Sequence, residues 1–233
     1  MTRSPKDDDA ALVASLVHDL RNPLAALAGN LALLREELAA VELTPIAAGS
    51  LDDCDALATR ALALIGNIVD ADALARGAVV ARRAPVRLAV EVQAALATVA
   101  AELAARSLVV ERDLDDELVA DVDQRLVRRV LGCLLDNAVR YTPRAGRVVI
   151  RGARAGRELE LAVGNSGPPL TDDERARVFE RDFRRAERAD GARRGRGLGL
   201  YFCRLVAEAH GGTIAVGPRD GLPVEFVLRL PVG

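Results

Sequence analysis

Leucines at positions 12, 16, 20, 24, 27, 31, 34 and 38 recur every three or four residues, with polar positions between them. That spacing predicts an amphipathic helix from about Ala10 to about Ala40 that buries one stripe. The pattern halts at a turn around Glu42-Leu43-Thr44-Pro45 and resumes from about Ile46 to about Ala75, where Leu51, Leu57, Leu62, Ile65, Val69 and Leu74 are the apolar positions. Two such helices form an antiparallel hairpin. A lone hairpin keeps apolar surface that neither helix covers, and pairing two hairpins into a four-helix bundle removes it from water, so a homodimer is expected through this segment. Residues 1–9 read as an acidic tail, residues 10–76 as the hairpin, and residues 77–85, with Gly77, Arg82, Arg83 and Pro85, as a linker.

Beyond the linker, residues 86–233 alternate between two periodicities. Leu88 to Arg106, Asp123 to Tyr141 and about Leu198 to Ala209 have helical spacing. Leu108 to Leu114, Leu118 to Val122, Arg147 to Ala153, Glu158 to Val163, Thr213 to Val216 and Val224 to Leu230 read as strands, with Gly156 in a hairpin turn. Strands in one layer with helices on one face predict an α/β two-layer sandwich. With the hairpin, the fold class is α+β.

Composition narrows the setting. The 233 residues carry a net charge of −2 with both signs abundant, so bulk electrostatics point to neither nucleic acid nor an anionic membrane as a partner. Tryptophan is absent and aromatics are 3%, so the core is built from Leu, Val and Ala. No apolar run approaches the ~20 residues of a membrane span, and Lys6 followed by Asp7, Asp8 and Asp9 is unlike a signal peptide, so a cytoplasmic protein with no membrane span is expected. Cys54, Cys133 and Cys203 form no Cys-x-x-Cys pair and fall in helical patterns, as expected of reduced small hydrophobes.

Four stretches carry chemistry. In Ser15-Leu-Val-His-Asp-Leu-Arg-Asn-Pro-Leu24, His18 lies about 200° round the helix from Leu16, on the wet side. Asn22 stands one turn above it and Asp19 beside it, able to hold or receive an imidazole proton. Pro23 cannot donate to the carbonyl of Asp19, so a bend is expected just past the histidine. A second stretch, Leu134-Leu-Asp-Asn-Ala-Val-Arg-Tyr-Thr-Pro143, sets Asn137 among apolar neighbours, where its amide oxygen suits a hard Mg²⁺ ion and Arg140 suits phosphates. A third, Val163-Gly-Asn-Ser-Gly-Pro-Pro169, ends a strand in a tight turn. In the fourth, Gly195-Arg-Gly-Leu-Gly-Leu200 opens a helix, where close glycines and the helix N-terminus accommodate phosphate; it is not a P-loop, since no Gly-Lys-Ser/Thr follows.

In this order and spacing the four stretches resemble those of the sensor histidine kinases of two-component signalling. The resemblance runs from about residue 10 to the end, and places His18 in the H box, Asn137 in the N box, Asn165 to Pro169 in the G1 box, Phe179 and Phe183 in the F box, and Gly195 to Leu200 in the G2 box. It implies a dimerisation and phosphotransfer hairpin joined to a catalytic domain of the GHKL ATP-binding fold. The implied activity is transfer of the γ-phosphoryl group of ATP to His18 and then to an aspartate of a response regulator. Asp19 and Asn22 are the implied helpers at His18, with Asn22 orienting water in a regulator phosphatase activity. Asn137, Arg140, Tyr141, Asn165, Gly167, Gly195, Gly197, Leu198, Gly199 and Leu200 are the implied ATP contacts, and Asn137 the implied Mg²⁺ ligand. Thr171 to Arg196 would be the lid, its arginines 181, 184, 185, 188, 193, 194 and 196 mostly solvated. His210 is expected to be structural.

Three positions depart from the family's pattern. Asn165 stands where an Asp usually accepts the adenine amino group; exchanging a charged for a neutral acceptor costs on the order of 1 kcal/mol. Pro169 replaces a second glycine, which excludes positive φ there. Cys133 stands where another Asn often begins the N box and where related hydrolases carry a water-activating Glu, which favours transfer to protein over hydrolysis. The alternative is a histidine phosphotransfer or scaffold protein with a degenerate nucleotide domain, favoured by the G1 departures and opposed by Asn137 and the G2 glycines. A GHKL serine kinase of the anti-sigma-factor kind is hard to square with His18 and its hairpin. The expected partners are a receiver domain, a second copy of the chain and a separate sensory or regulatory protein.

Overall fold

The computed structural model of the protein describes residues 5–183 and 197–231, the side chains of residues 5–16, 18, 60, 63 and 64 excepted. It divides into two compact units, one ending at Ala73 and one beginning at Leu74.

The first unit is a helical hairpin. Helix α1 spans Pro5–Glu37 and α2 spans Pro45–Ala75. The expected tail is thus largely helical: the helix starts at Pro5 rather than near Ala10. A proline at the first helical position and the acidic run Asp7 to Asp9 both suit a helix N-terminus, so the charge run that read as solvated tail is a helix start. The helix continues through Pro23. At the turn, Thr44 caps α2 by accepting the amide of Ala47 on its hydroxyl (3.2 Å), with Pro45 as the first helical residue. Arg35 of α1 reaches Asp52 (2.7 Å) and Asp55 (3.9 Å) of α2. Of the predicted stripe, Leu31 is buried, whereas Leu20, Leu27 and Leu34 are about half exposed in the single chain.

The second unit is a two-layer α/β sandwich. Strands β2 (Val109–Leu114), β4 (Arg147–Ala155), β5 (Glu158–Asn165), β6 (Thr213–Arg219) and β7 (Leu222–Pro231) form one sheet in the order β2-β4-β5-β7-β6. Only the β2–β4 pair is parallel. Helices α3 (Leu88–Ala105), α4 (Gln124–Tyr141) and α6 (Leu198–Ala209) supply the other layer, with α4 against β5 and α6 against β6 and β7. The core is aliphatic, as the composition requires: Leu126, Val127, Val130, Leu131, Leu134 and Leu135 of α4 are all at 0% exposure, as are Ile150, Leu161 and Leu228 of the sheet.

Two elements differ from expectation. The end of the linker is strand β1 (Ala84–Arg87), which pairs antiparallel with β3 (Val119–Val122) in a ribbon apart from the main sheet. Its Pro85 and single buried side chain, Val86, masked the signal, and its partner lies far along the chain. A short helix α5 (Asp172–Arg177) follows β5, announced by a Thr171–Glu174 capping box. By length and composition α3 passes as a membrane span, yet its Leu88, Val92, Ala95 and Val99 are buried, and its Glu91 is ion-paired to Arg128 of α4 (2.6 Å). That is a core helix, and the pair fixes it to α4.

Candidate functional site

In the second unit, three segments far apart in sequence meet around the C-terminal half of α4. Asn137 is half-buried one turn before its end. The carbonyls at that end are held by Arg106, which follows α3 and donates to the oxygens of Val139, Arg140 (3.2 Å) and Thr142 (2.6 Å). Cationic donors on the last carbonyls complete hydrogen bonds that the helix cannot make itself and oppose the negative end of its dipole. Thr142 folds its hydroxyl back to the carbonyl of Ala138 (2.6 Å), ending the helix before Pro143.

The end of β5 is pressed onto that helix terminus. A Cβ on Gly167 would lie 2.6 Å from the carbonyl oxygen of Tyr141 and 2.5 Å from Nδ2 of Asn165, so only glycine admits this approach. Asn165 is buried, at 3% exposure. Ser166 is stitched to the neighbouring strand through its hydroxyl, which accepts the amide of Arg147 (2.8 Å), and its own amide, which donates to the Arg147 carbonyl (3.0 Å). The turn that carries the third chemical stretch is thereby rigid.

The first turn of α6 is the third segment. Gly197, at φ +70°, caps the helix in the left-handed region, and a Cβ there would strike the backbone of Asp182 and Phe183, 2.6 Å from the Phe183 oxygen. Residues 183 and 197, the ends of the stretch between them, therefore touch. Gly199 lies against Cys133 of α4. Leu198, Gly199 and Leu200 are all half-buried at this helix start. Phe179 packs edge-on against Phe226 of β7 (6.0 Å, 85°), and the Arg177 guanidinium stacks on Phe183 (5.5 Å). Gly195, Arg196 and Arg184, Arg185, Arg188, Arg193 and Arg194 fall outside the described residues; Arg181, within them, is exposed and near Asp182 (3.8 Å).

Asn137, Tyr141, Asn165, Gly167 and residues 197–200 thus belong to one constellation. Arg140 is engaged by Asp136 (2.6 Å), so an incoming phosphate would share it with a carboxylate. His18, Asp19 and Asn22 lie on α1 of the other unit, where Asp19 and Asn22 are exposed; the His18 side chain is outside the described atoms.

Residues 9–75 match the family described as the His Kinase A (phospho-acceptor) domain, and residues 122–233 the family of histidine kinase-, DNA gyrase B- and HSP90-like ATPases. The chain belongs to the two-component sensor histidine kinases. It is 28% identical to the signal transduction histidine-protein kinase BaeS of Escherichia coli over 94% of this chain and 46% of that protein. It is 31% identical to the sensor-like histidine kinase SenX3 of Mycobacterium tuberculosis over 94% of this chain and 53% of that one. The chain thus spans about half the length of these relatives. Among solved structures, full-length ShkA in complex with AMPPNP shares the fold, with TM-score 0.68 and 24% identity over 96% of this chain and 46% of that one.

Among this histidine kinase's residues, sequence reasoning singled out His210 correctly as structural. It is buried, its Nε2 accepts the amide of Asp123 (3.0 Å), and its Nδ1 faces the carbonyl of Val206 (2.8 Å), a pairing that fixes the neutral tautomer. Burial holds its pKa below the usual histidine range, the Val206 hydrogen bond opposing and the Arg83 charge adding to the effect. Asp123 in turn caps α4 at Leu126 and accepts the amide of Arg82, joining the linker, α4 and α6. Sequence reasoning missed Arg106, and no local signal marks it: its three acceptors are over thirty residues away.

Proposed function

We propose that this kinase transfers the γ-phosphoryl group of ATP to His18 and then to an aspartate of a receiver domain. The observation that carries the proposal is the constellation of Asn137, the Asn165–Gly167 turn and the Gly197–Leu200 helix start in a single unit, joined in one chain to a hairpin that bears His18. The α6 N-terminus, opened by a left-handed glycine, offers backbone amides and a positive dipole end to phosphates.

No cluster of three or more acidic, histidine or cysteine side chains is present among the described residues. Mg²⁺ needs no such cluster, because it is held by one or two protein oxygens together with phosphates and water. Asn137 would hold it through its amide oxygen, and the ion would neutralise phosphate charge. The chain's own residues do the rest. The His18 imidazole attacks the γ-phosphorus in line, forming the N–P bond as the bond to the ADP oxygen breaks, while Asp19 takes or orients the proton on the other ring nitrogen. Asn22 serves phosphoryl removal from the regulator by orienting water.

Homodimerisation through the hairpin follows from its uncovered apolar surface. Leu20, Leu27 and Leu34 recur at intervals of seven residues, and Ile46, Leu57 and Val69 of α2 are exposed with them, which supports a bundle seam on this surface. A cytoplasmic location, where ATP is available, is part of the proposal, as is control by a sensory partner or segment. The decayed relay remains the competing account, supported by Asn165 and Pro169. Incubation with labelled ATP and Mg²⁺ separates the two. Acid-labile, alkali-stable label that is lost in both His18→Ala and Asn137→Ala supports the kinase; absence of label, with label accepted from a phosphorylated regulator, supports the relay.

A further inference from the structure

Two thiols meet beside the nucleotide constellation. Cys133 lies on α4 one turn before Asn137, and Cys203 lies on α6 one turn after Gly199. The Cys203 thiol is at 0% exposure, points at the Val130 carbonyl at 4.0 Å and neighbours the Cys133 thiol. From the other side, a Cβ on Gly199 would rest 3.7 Å from the Cys133 sulfur. The pair therefore occupies the crossing between α4 and the first turns of α6.

The two sulfurs are chemically unequal. Cys133 is half-buried, and the guanidinium of Arg129, one turn earlier and stacked on the Phe202 ring at 4.7 Å, is in electrostatic contact with it. A cation beside sulfur favours nucleophilic attack. Burial first, and then the neighbouring Cys133, pushes the Cys203 thiol up, so Cys203 holds its proton more tightly and is the less ready of the two to attack. This is the arrangement of an attacking and a resolving thiol.

We propose that Cys133 and Cys203 form an oxidisable dithiol that takes a peroxide as its substrate and whose disulfide weakens nucleotide binding. The Cys133 sulfur attacks one peroxide oxygen, the O–O bond breaks, water leaves and a sulfenic acid forms. The Cys203 sulfur then attacks the Cys133 sulfur; the S–S bond forms, the S–O bond breaks, and the hydroxyl leaves as a second water with the Cys203 proton. Two thiols and one peroxide become one disulfide and two waters, and a dithiol reductant reverses the change. A disulfide requires its two Cβ atoms to approach to about 3.8 Å with a fixed torsion. That cross-link ties α4 to α6 between Asn137 and the Gly197–Leu200 turn, the two sides that must adjust around phosphates. The second half of the proposal rests on the nucleotide-site assignment given above.

The test uses the whole chain with Cys54→Ser, which removes the exposed third thiol. Hydrogen peroxide treatment, quenching and peptide mapping should give an intrachain linkage of the peptides bearing residues 133 and 203, reversible by dithiothreitol. Affinity for a fluorescent ATP analogue with Mg²⁺ should fall by about fivefold or more on oxidation, a modest change against the tenfold per 1.4 kcal/mol scale, and recover on reduction. Cys133→Ala and Cys203→Ala should each abolish both the linkage and the peroxide response; Cys133→Ala, at the less buried position, serves where the other fails to fold. Absence of the linked peptides overturns the dithiol, and linkage with unchanged affinity overturns its control of the nucleotide. Failure of the reduced chain to bind the analogue overturns the nucleotide-site assignment instead, and the peptide map still decides the disulfide.

Discussion

Gly197 and Gly199 stand two residues apart in one glycine-rich stretch, and the structure assigns them opposite tolerances. At Gly197 an alanine meets two penalties. A left-handed backbone at φ +70° costs a non-glycine residue about 1–2 kcal/mol. Its Cβ would also sit 2.6 Å from the Phe183 oxygen and 2.8 Å from the Asp182 carbonyl carbon, which are backbone atoms with no flexible end to yield. Overpacking of this kind costs about 1–3 kcal/mol, so Gly197→Ala should lose about 2–5 kcal/mol in all. At Gly199 the new Cβ makes an ordinary 3.7 Å contact with Cys133, inside a helix, and Gly199→Ala should be neutral or gain about 0.5 kcal/mol. Both tyrosines, Tyr141 and Tyr201, lie in the second unit and tryptophan is absent, so tyrosine fluorescence during urea unfolding reports on that unit alone. Gly197→Ala should also weaken nucleotide binding by more than about tenfold, because the α6 N-terminus moves with the turn. Equal destabilisation by the two alanines, or a Gly197→Ala protein within about 0.5 kcal/mol of wild type, would refute the reasoning.

Three further outcomes are expected. Arg106→Ala should lower the stability of the second unit by about 2 kcal/mol, since three carbonyls at the end of α4 lose a charged donor; Arg106→Lys, which cannot span them, should recover less than half in the same urea titration. Asn165→Asp should tighten ATP binding by up to about tenfold, measured calorimetrically, if the position accepts the adenine amino group; unchanged affinity would remove Asn165 from the site. For His210, the folded pKa lies below the unfolded value of about 6.5, so the unfolded state takes up a proton first as pH falls. Stability is full above that value and declines as pH drops through it toward the folded pKa; the decline should flatten in His210→Gln, and an unaltered slope in that variant would exclude His210 as its source.

Much of this was legible in the sequence because the periodicities are strong. The leucine spacing located both hairpin helices, and α4 and α6 fell within a residue of expectation, since each carries one wholly apolar face. The acidic start of α1 was misread because charge alone does not separate a solvated tail from a helix N-terminus. Strand β1 was hidden by a proline and by a partner distant in sequence, and Arg106 by acceptors that only the fold brings near. At the site, Asn137, Asn165 and the glycines were recognisable as stretches, but the reason for glycine at each position was not. Gly167 answers to the Tyr141 carbonyl, Gly197 to the Phe183 backbone, and Gly199 to neither. The meeting of Cys133 with Cys203 was likewise invisible, since each cysteine alone reads as a small hydrophobe.

The most direct test of the proposed phosphotransfer locates the phosphoryl group. The chain is incubated with ATP and Mg²⁺, digested at neutral to alkaline pH, and mapped by tandem mass spectrometry, with a receiver domain added to a parallel sample. The phosphoryl group should appear on the peptide containing His18, be absent in Asn137→Ala, and pass to the receiver's aspartate on its addition. A phosphoryl group on serine, on another residue of α1, or on no residue of a chain that binds ATP would contradict it.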